Sequence, residues 1–322
     1  MALTIRVAML NADTPVPNVL ADRGSYGAMF HRLLSAAARR VSSPALPVTI
    51  EAADFDVVHG EYPASPADWD ALVISGSIVA SYDNEPWIYR LDQYLQDVYR
   101  DHPHLRIFGS CFGHQIICQS LLREHGVRVE KDPKGLEVGV HEIQLTDAFA
   151  KALGGGKTGV ESSKGPSIGG LDGLPTPDAD TENTQPQLPD SLPKQTLRLQ
   201  FVHSDHVKLP STAEGQEEAT GGLPPSWMSM GRSQHCAVQG VYQPGRVLTY
   251  QGHFEFDRFV NSETVKTFFA KWEPAAMQTA LDAIDKDDDA EGAADMVVRF
   301  LLEGRQMAEQ GDGGLLTPPL KT

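Results

Sequence analysis

Cysteine is scarce: Cys111, Cys118 and Cys236 are the only three in 322 residues, and no two form a C-x-x-C pair. An even-numbered disulfide framework is excluded, and the free thiols suit a reducing compartment. Positive charge is also short, with 27 Lys and Arg against 43 Asp and Glu and a net charge of −16. Nucleic acid and anionic membrane surfaces need clustered cations, so neither is an expected partner. A small-molecule substrate or a protein partner fits that balance. No apolar run approaches a membrane span. The opening "MALTIRVAML" reads as a strand rather than a signal peptide, and "PPLKT" is not a peroxisomal address. The cytoplasm is the expected location. What remains is ordinary for a globular chain, 41% hydrophobic and 22% charged. Its length suits one large α/β domain or two small ones.

Strands are predicted at "TIRVAML" (4–10), "PVTIEAADF" (47–55), "DALVISGS" (70–77) and "HLRIFGSC" (104–111). Helical periodicity lies between them, at 26–41 and at 86–100, where Trp87, Leu91, Tyr94, Leu95 and Val98 form one stripe. Alternating strands and helices imply βαβ units and a mostly parallel sheet. Beyond residue 125 the segments shorten into "VRVEKD", "LEVGVHEIQLT", "TLRLQFVHSD", "WMSMGRS" and "CAVQGVYQPGRVLTYQGH", expected as an added antiparallel portion. Helices return at 262–272 and 293–307. Residues 153–194 are rich in Gly, Pro, Ser, Thr and Asp and poor in large apolar residues. They are expected to be a disordered insertion, with a loose tail over 308–322. No internal repeat is evident.

"RIFGSCFGHQIICQSLL" runs a strand into G-x-C-x-G and then into a helix. Cys111 there has two readings. It is a nucleophile on a tight strand-to-helix turn, activated by the positive end of the helix, or it is a small residue packed at a buried helix start. Cys118 and Cys236 read as packing residues. A nucleophile needs a base, and "TYQGHFEFD" offers one: His253 and Glu255, two apart, share a face in extended backbone, so the carboxylate can orient the imidazole. Taken alone, H-x-E is equally a surface pair. "VISGS" ends a strand at Ser75-Gly76-Ser77, either as a plain turn or as a source of oxyanion-binding amides. His102 and His104 in "DHPH" read as a solvated turn, because no Cys or His set has metal-ligand spacing.

Together these segments resemble the class I glutamine amidotransferases, whose nucleophile motif is matched by "GSCFGHQ", whose H-P-E motif by "QGHFEFD" and whose oxyanion strand by "VISGS". "KGLEVGVHEIQLT", "FVHSDHVKLP" and "SQHCAVQGVY" resemble further strands of that family, in the same order from about residue 4 to 270. The resemblance is greatest to stand-alone amidotransferase-like proteins, which carry "GS…YD…PWI" after the oxyanion strand. It implies a flavodoxin-like fold: a mostly parallel sheet flanked by helices with an added antiparallel portion. The type-1 domain would span 1–275, followed by a helical extension over 276–307. It implies Cys111 as nucleophile, His253 as base and acid, and Glu255 as its orienter. Backbone amides of Gly76 and Phe112 would hold the oxyanion, and Gln115, Ser204 and Asp205 would contact substrate. Phe254 stands where the family has proline, and Ser204 where many synthetase-linked members have glycine.

The implied reaction is hydrolysis of the γ-glutamyl amide of glutamine through a Cys thioester, with no metal or organic cofactor. After a core of this size, no room remains for an ATP-using acceptor domain. The ammonia would then pass to a separate synthase, with metabolite biosynthesis as a setting for it. The alternatives are a γ-glutamyl peptidase acting on glutathione-type conjugates and a non-catalytic amidotransferase-like binding protein. A cysteine-elbow α/β-hydrolase is disfavoured, because His here precedes its acid by two residues.

Overall fold

The computed structural model describes residues 2–44, 46–154, 196–210 and 222–303. The expected tail at 308–322 and all but the first two residues of the expected insertion at 153–194 lie outside the described residues. In chain order the elements are β1 (Leu3–Asn11), α1 (Pro17–Arg23), α2 (Tyr26–Val41), β2 (Val48–Asp56), β3 (Ala71–Ile74), α3 (Pro86–Asp101), β4 (Arg106–Ser110), α4 (Phe112–Leu122), β5 (Arg128–Lys131) and β6 (Glu137–Leu145). They continue with α5 (Asp147–Gly154), β7 (Thr196–His203), β8 (Asp205–Lys208), β9 (Met228–Ser229), β10 (Gly231–Arg232), β11 (Val241–Gln243), β12 (Val247–Tyr250), α6 (Arg258–Phe268), α7 (Pro274–Ile284) and α8 (Ala290–Leu302).

Seven strands form the main sheet in the order β2-β1-β3-β4-β12-β11-β9. The first five are mutually parallel, and β11 and β9 add antiparallel at one edge. Central strands β3 and β4 are buried on both faces, which is why "ALVI" and "RIFGS" show no polar alternation. Period 2 divides the side chains between two cores. Val7, Met9 and Phe108 meet Phe30, Leu34 and Val297 on the α2 and α8 side, while Ala8, Leu10 and Ile107 meet Leu91, Leu95 and Ile116 on the α3 and α4 side. Local chemistry sets helix starts. The Ser25 hydroxyl accepts from the Ala28 amide at α2, Asp257 accepts from the Val260 amide at α6, and Pro86 opens α3.

The antiparallel segments divide three ways. Of them, β11 and β9 extend the main sheet, β12 joins it in parallel, and β10-β6-β7 and β5-β8 form separate small sheets. The strand predicted over 70–77 stops at Ile74, and the one over 104–111 stops at Ser110, because Gly76 and Cys111 begin turns. Helix α6 starts at Arg258 rather than 262, and the stretch expected as a helical extension over 276–307 holds two helices, α7, which starts at Pro274, and α8. Among the described residues, no helix is long and apolar enough to cross a membrane.

Candidate active site

The C-terminal ends of β1, β3, β4 and β12 lie side by side in the parallel part of the sheet, and the strand order reverses direction between β1 and β3. This is where open α/β sheets bind ligands. Cys111 follows β4 directly, with φ 52° and ψ −106°. It is the one non-glycine residue at positive φ among the described residues. Such a conformation costs about 1–3 kcal/mol and persists only where the surroundings enforce it. Here the Cys111 amide donates to the Tyr250 carbonyl at 2.8 Å, and its carbonyl accepts from the Gln115 amide at 3.0 Å. The flanking glycines permit the turn. A Cβ on Gly109 would sit 2.5 Å from the Gly113 backbone, and one on Gly113 would sit 2.4 Å from the Ile74 carbonyl oxygen. Cys111 is held against the start of α4, whose first amides have no partner within the helix.

His253 and Glu255 lie past the end of β12, in a loop rather than the extended strand expected from their spacing. His253 makes an isolated bridge with Gln200 on β7, its amide donating to the Gln200 carbonyl at 2.8 Å. The side chains nevertheless meet: His253 Nδ1 is 2.6 Å from Glu255 Oε1. Both are buried, so the surface-pair reading does not apply. Three contacts fix the arrangement. The Ser110 hydroxyl donates to Glu255 at 3.0 Å. The imidazole stacks on Phe256 at a centroid distance of 3.9 Å. Phe254, in the place of the expected proline, points into the core against Phe30, Phe108 and Tyr250. Aromatic burial thus anchors the loop where a proline ring would have stiffened it.

Gly76 completes the convergence. A Cβ added there would lie 2.9 Å from His253 Cε1 and 3.6 Å from Cys111 Cβ. Side-chain bonds to the backbone hold its loop: the Ser75 hydroxyl accepts from the Ala12 amide at 2.9 Å and donates to the Gly76 carbonyl at 3.0 Å, and the Asp13 carboxylate accepts from the Ile78 amide at 2.9 Å. Burial alone would pull the His253 imidazole down. The Glu255 carboxylate and the Cys111 sulfur outweigh it and hold the imidazole above its ordinary value. His253 Nε2 has no geometric hydrogen-bond partner, yet the Cys111 sulfur is among the groups that stabilise its charge.

A cavity of about 120 Å³ opens onto Cys111, His253 and Gly76, and Gln115, Ser204 and Asp205 also line it. The Phe112 side chain does not. It packs on Trp87 at 5.4 Å, leaving only its backbone towards the turn. Gln115 has a bracing function. Its amide nitrogen donates to the Asp205 carbonyl at 3.1 Å and to Gln251 at 3.2 Å. The Asp205 carboxylate accepts from Tyr82 at 3.0 Å. Behind that wall lies a buried pair absent from the sequence-based expectations. His203 places Nε2 at 2.8 Å from Glu137 and Nδ1 at 2.9 Å from the Asp205 carbonyl. Burial pushes Glu137 up, but bonds from His203, Ser233 and Gln239 prevail and bring it down to about 2. The sequence signal was present in "GLEV" and "FVHSD", but nothing in it paired the two. Burial drives the remaining helix thiol, Cys118, far up, in keeping with a packing residue.

No family model matches the chain. A glutamine amidotransferase-like protein of Schizosaccharomyces pombe is 25% identical over 303 residues, 92% of this chain and 98% of that one. Gamma-glutamyl peptidase 2 of Arabidopsis thaliana is 33% identical over 99 residues, 30% of this chain and 38% of that one. A glutamine amidotransferase from Thermotoga maritima has the same fold, with a TM-score of 0.55 at 15% identity over 95% of this chain and 98% of that one. The glutamine amidotransferase of Methylobacillus flagellatus gives 0.53 at 16%, over 99% and 100%. The chain therefore resembles the class I glutamine amidotransferase-like proteins in sequence along most of its length, and it has their fold.

Proposed function

We propose that this protein is a cysteine hydrolase that cleaves γ-glutamyl amide bonds. Cys111 is the nucleophile, His253 the general acid and base, and Glu255 its orienting carboxylate. The observation that carries the reading is the strained Cys111 turn against a buried His253–Glu255 pair, with Gly76 wedged between them. The Cys111 thiolate attacks the side-chain carbonyl carbon. The resulting oxyanion is held by the Gly76 and Phe112 amides, donors worth about 10²–10³ in rate each at such sites. His253 gives its proton to the departing amine, and the C–N bond breaks to leave a thioester. His253 then takes a proton from water, which attacks the thioester. Glutamate leaves and the thiolate is restored.

When the substrate is glutamine the amine is ammonia, which a separate synthase would consume. A specific feature favours a larger amine. The cavity wall includes Ile78, 58% exposed, and Phe268, 41% exposed, beside Phe269, an apolar mouth that free ammonia does not need. The test is turnover of glutamine, glutathione and apolar γ-glutamyl conjugates by the purified protein and by Cys111→Ala. Turnover lost in the variant supports the reading. Equal turnover by both contradicts it, and none by either contradicts it and favours a binding protein. Preference for the conjugates identifies a peptidase, and preference for glutamine an ammonia donor.

A further inference from the structure

A second cluster of chemically capable side chains lies outside the Cys111 cavity. Asp132, which follows β5, His206 on β8 and Cys236, in the turn before β11, bring a carboxylate oxygen, an imidazole nitrogen and a thiol sulfur within 4.8 Å of one another. His235, next to Cys236, adds a fourth donor, with Nε2 3.7 Å from Asp132 Oδ2. His206 Nδ1 is 3.2 Å from the same oxygen. We propose that Asp132, His206, His235 and Cys236 form a four-coordinate site for a divalent cation of the zinc class.

Three observations support the assignment. Bonds of about 2.0–2.3 Å in a tetrahedron separate donor atoms by roughly 3.5 Å, and the two Asp132–imidazole separations bracket that value. Asp132 is 4% exposed and aims its Oδ2 into the cluster without a hydrogen-bond partner, while its Oδ1 is occupied by the Lys134 amide at 2.8 Å. The far nitrogen of His206 faces Glu130 at 3.8 Å and has no hydrogen bond. That is the outer carboxylate which commonly orients a metal-bound imidazole. Two present contacts would give way: His235 Nε2 lies 3.3 Å from the Gly135 carbonyl, and Cys236 Sγ lies 3.5 Å from the Val238 carbonyl. A coordinating dication displaces the Cys236 thiol proton. The donor set of two nitrogens, one oxygen and one sulfur suits zinc and is poor for magnesium or calcium.

With all four positions filled by protein, the site is structural. It clasps the β5–β8 sheet to the turn at 233–236. Because the Asp132 amide donates to the Ser204 carbonyl at 2.8 Å, it also steadies the segment that walls the Cys111 cavity. The assignment stands independently of the Cys111 chemistry.

The test uses full-length protein in the Cys111→Ala background, so that the active-site thiol cannot supply the sulfur. Metal analysis after zinc loading and desalting should find one zinc per chain, lost in Cys236→Ser and in His206→Asn. Cobalt(II) in place of zinc should give tetrahedral visible bands and a thiolate-to-cobalt charge-transfer band in the near ultraviolet. The cobalt measurement needs neither ligand variant to fold. Absence of tight zinc binding, cobalt bound without the thiolate band, or zinc retained equally in folded Cys236→Ser and His206→Asn overturns the proposal.

Discussion

Gly76→Ala isolates the site geometry with one methyl group. Gly76 is not at positive φ, so alanine meets no backbone penalty and the effect is purely steric. The new Cβ would lie 2.9 Å from His253 Cε1, closer than carbon atoms approach without displacement, since the best separation is about 3.5–4.0 Å. The imidazole has nowhere to retreat. Phe256 stacks against it at 3.9 Å, Glu255 holds Nδ1 at 2.6 Å, and its backbone is tied to Gln200. A shift of the order of 1 Å at a reacting group costs about 10²-fold. The expected result is a fall of about 100-fold in kcat on a chromogenic γ-glutamyl anilide. Alkylation of Cys111 by iodoacetamide should slow in parallel, and Tm should change little. Activity within a few-fold of the parent would refute the placement of Gly76 against His253.

Removing the Ser110 hydroxyl should act through Glu255. Ser110→Ala deletes a bond to a buried carboxylate, worth about 1.5–3 kcal/mol for charged partners, so kcat should fall tenfold or more with KM nearly unchanged. An unchanged kcat contradicts the orienting arrangement. Glu137 titrates at about 2 in the fold against an ordinary 4.5, a difference worth about 3 kcal/mol. A depressed carboxylate stabilises above its unfolded value, so that contribution is present above pH 4.5 and is lost as the pH falls towards 2. In acid unfolding followed by circular dichroism, the parent should lose more stability across that window than Glu137→Gln. Equal losses would refute the pairing. Gly292 lies inside α8 with open space where a Cβ would go, so Gly292→Ala should stabilise by roughly 0.5–1 kcal/mol. A lowered Tm would contradict the open packing.

How much of this was legible in the sequence follows the range of the interaction. The Cys111 turn is written in five adjacent residues, Gly109 to Gly113, because glycine on both sides of a cysteine between a strand and a helix is a local backbone requirement. His253 and Glu255 were legible as partners by proximity, though for a reason the structure alters. The pair meets across a loop pinned by Phe254, and period-2 alternation has no part in it. Ser75, Asp13 and Ser110 were not legible, because each acts on a residue brought near by the sheet and has no spacing signature. The same holds for Asp132, His206, His235 and Cys236. Two of those neighbour each other in "SQHC", but the other two arrive from strands more than 70 residues apart. Gln115 lines the cavity, yet its amide nitrogen braces Asp205 and Gln251, a duty that no motif distinguishes from substrate contact.

The central claim is that Cys111 carries the γ-glutamyl group during turnover. Rapid acid quench of the protein mixed with a γ-glutamyl substrate, followed by intact-mass and peptide mass spectrometry, tests it most directly. The account predicts a γ-glutamyl adduct on the peptide containing Cys111. The adduct should be released by hydroxylamine and absent in Cys111→Ser or in denatured protein. Substrate turnover without any adduct at Cys111, or an adduct on Cys118 or Cys236 instead, would contradict it.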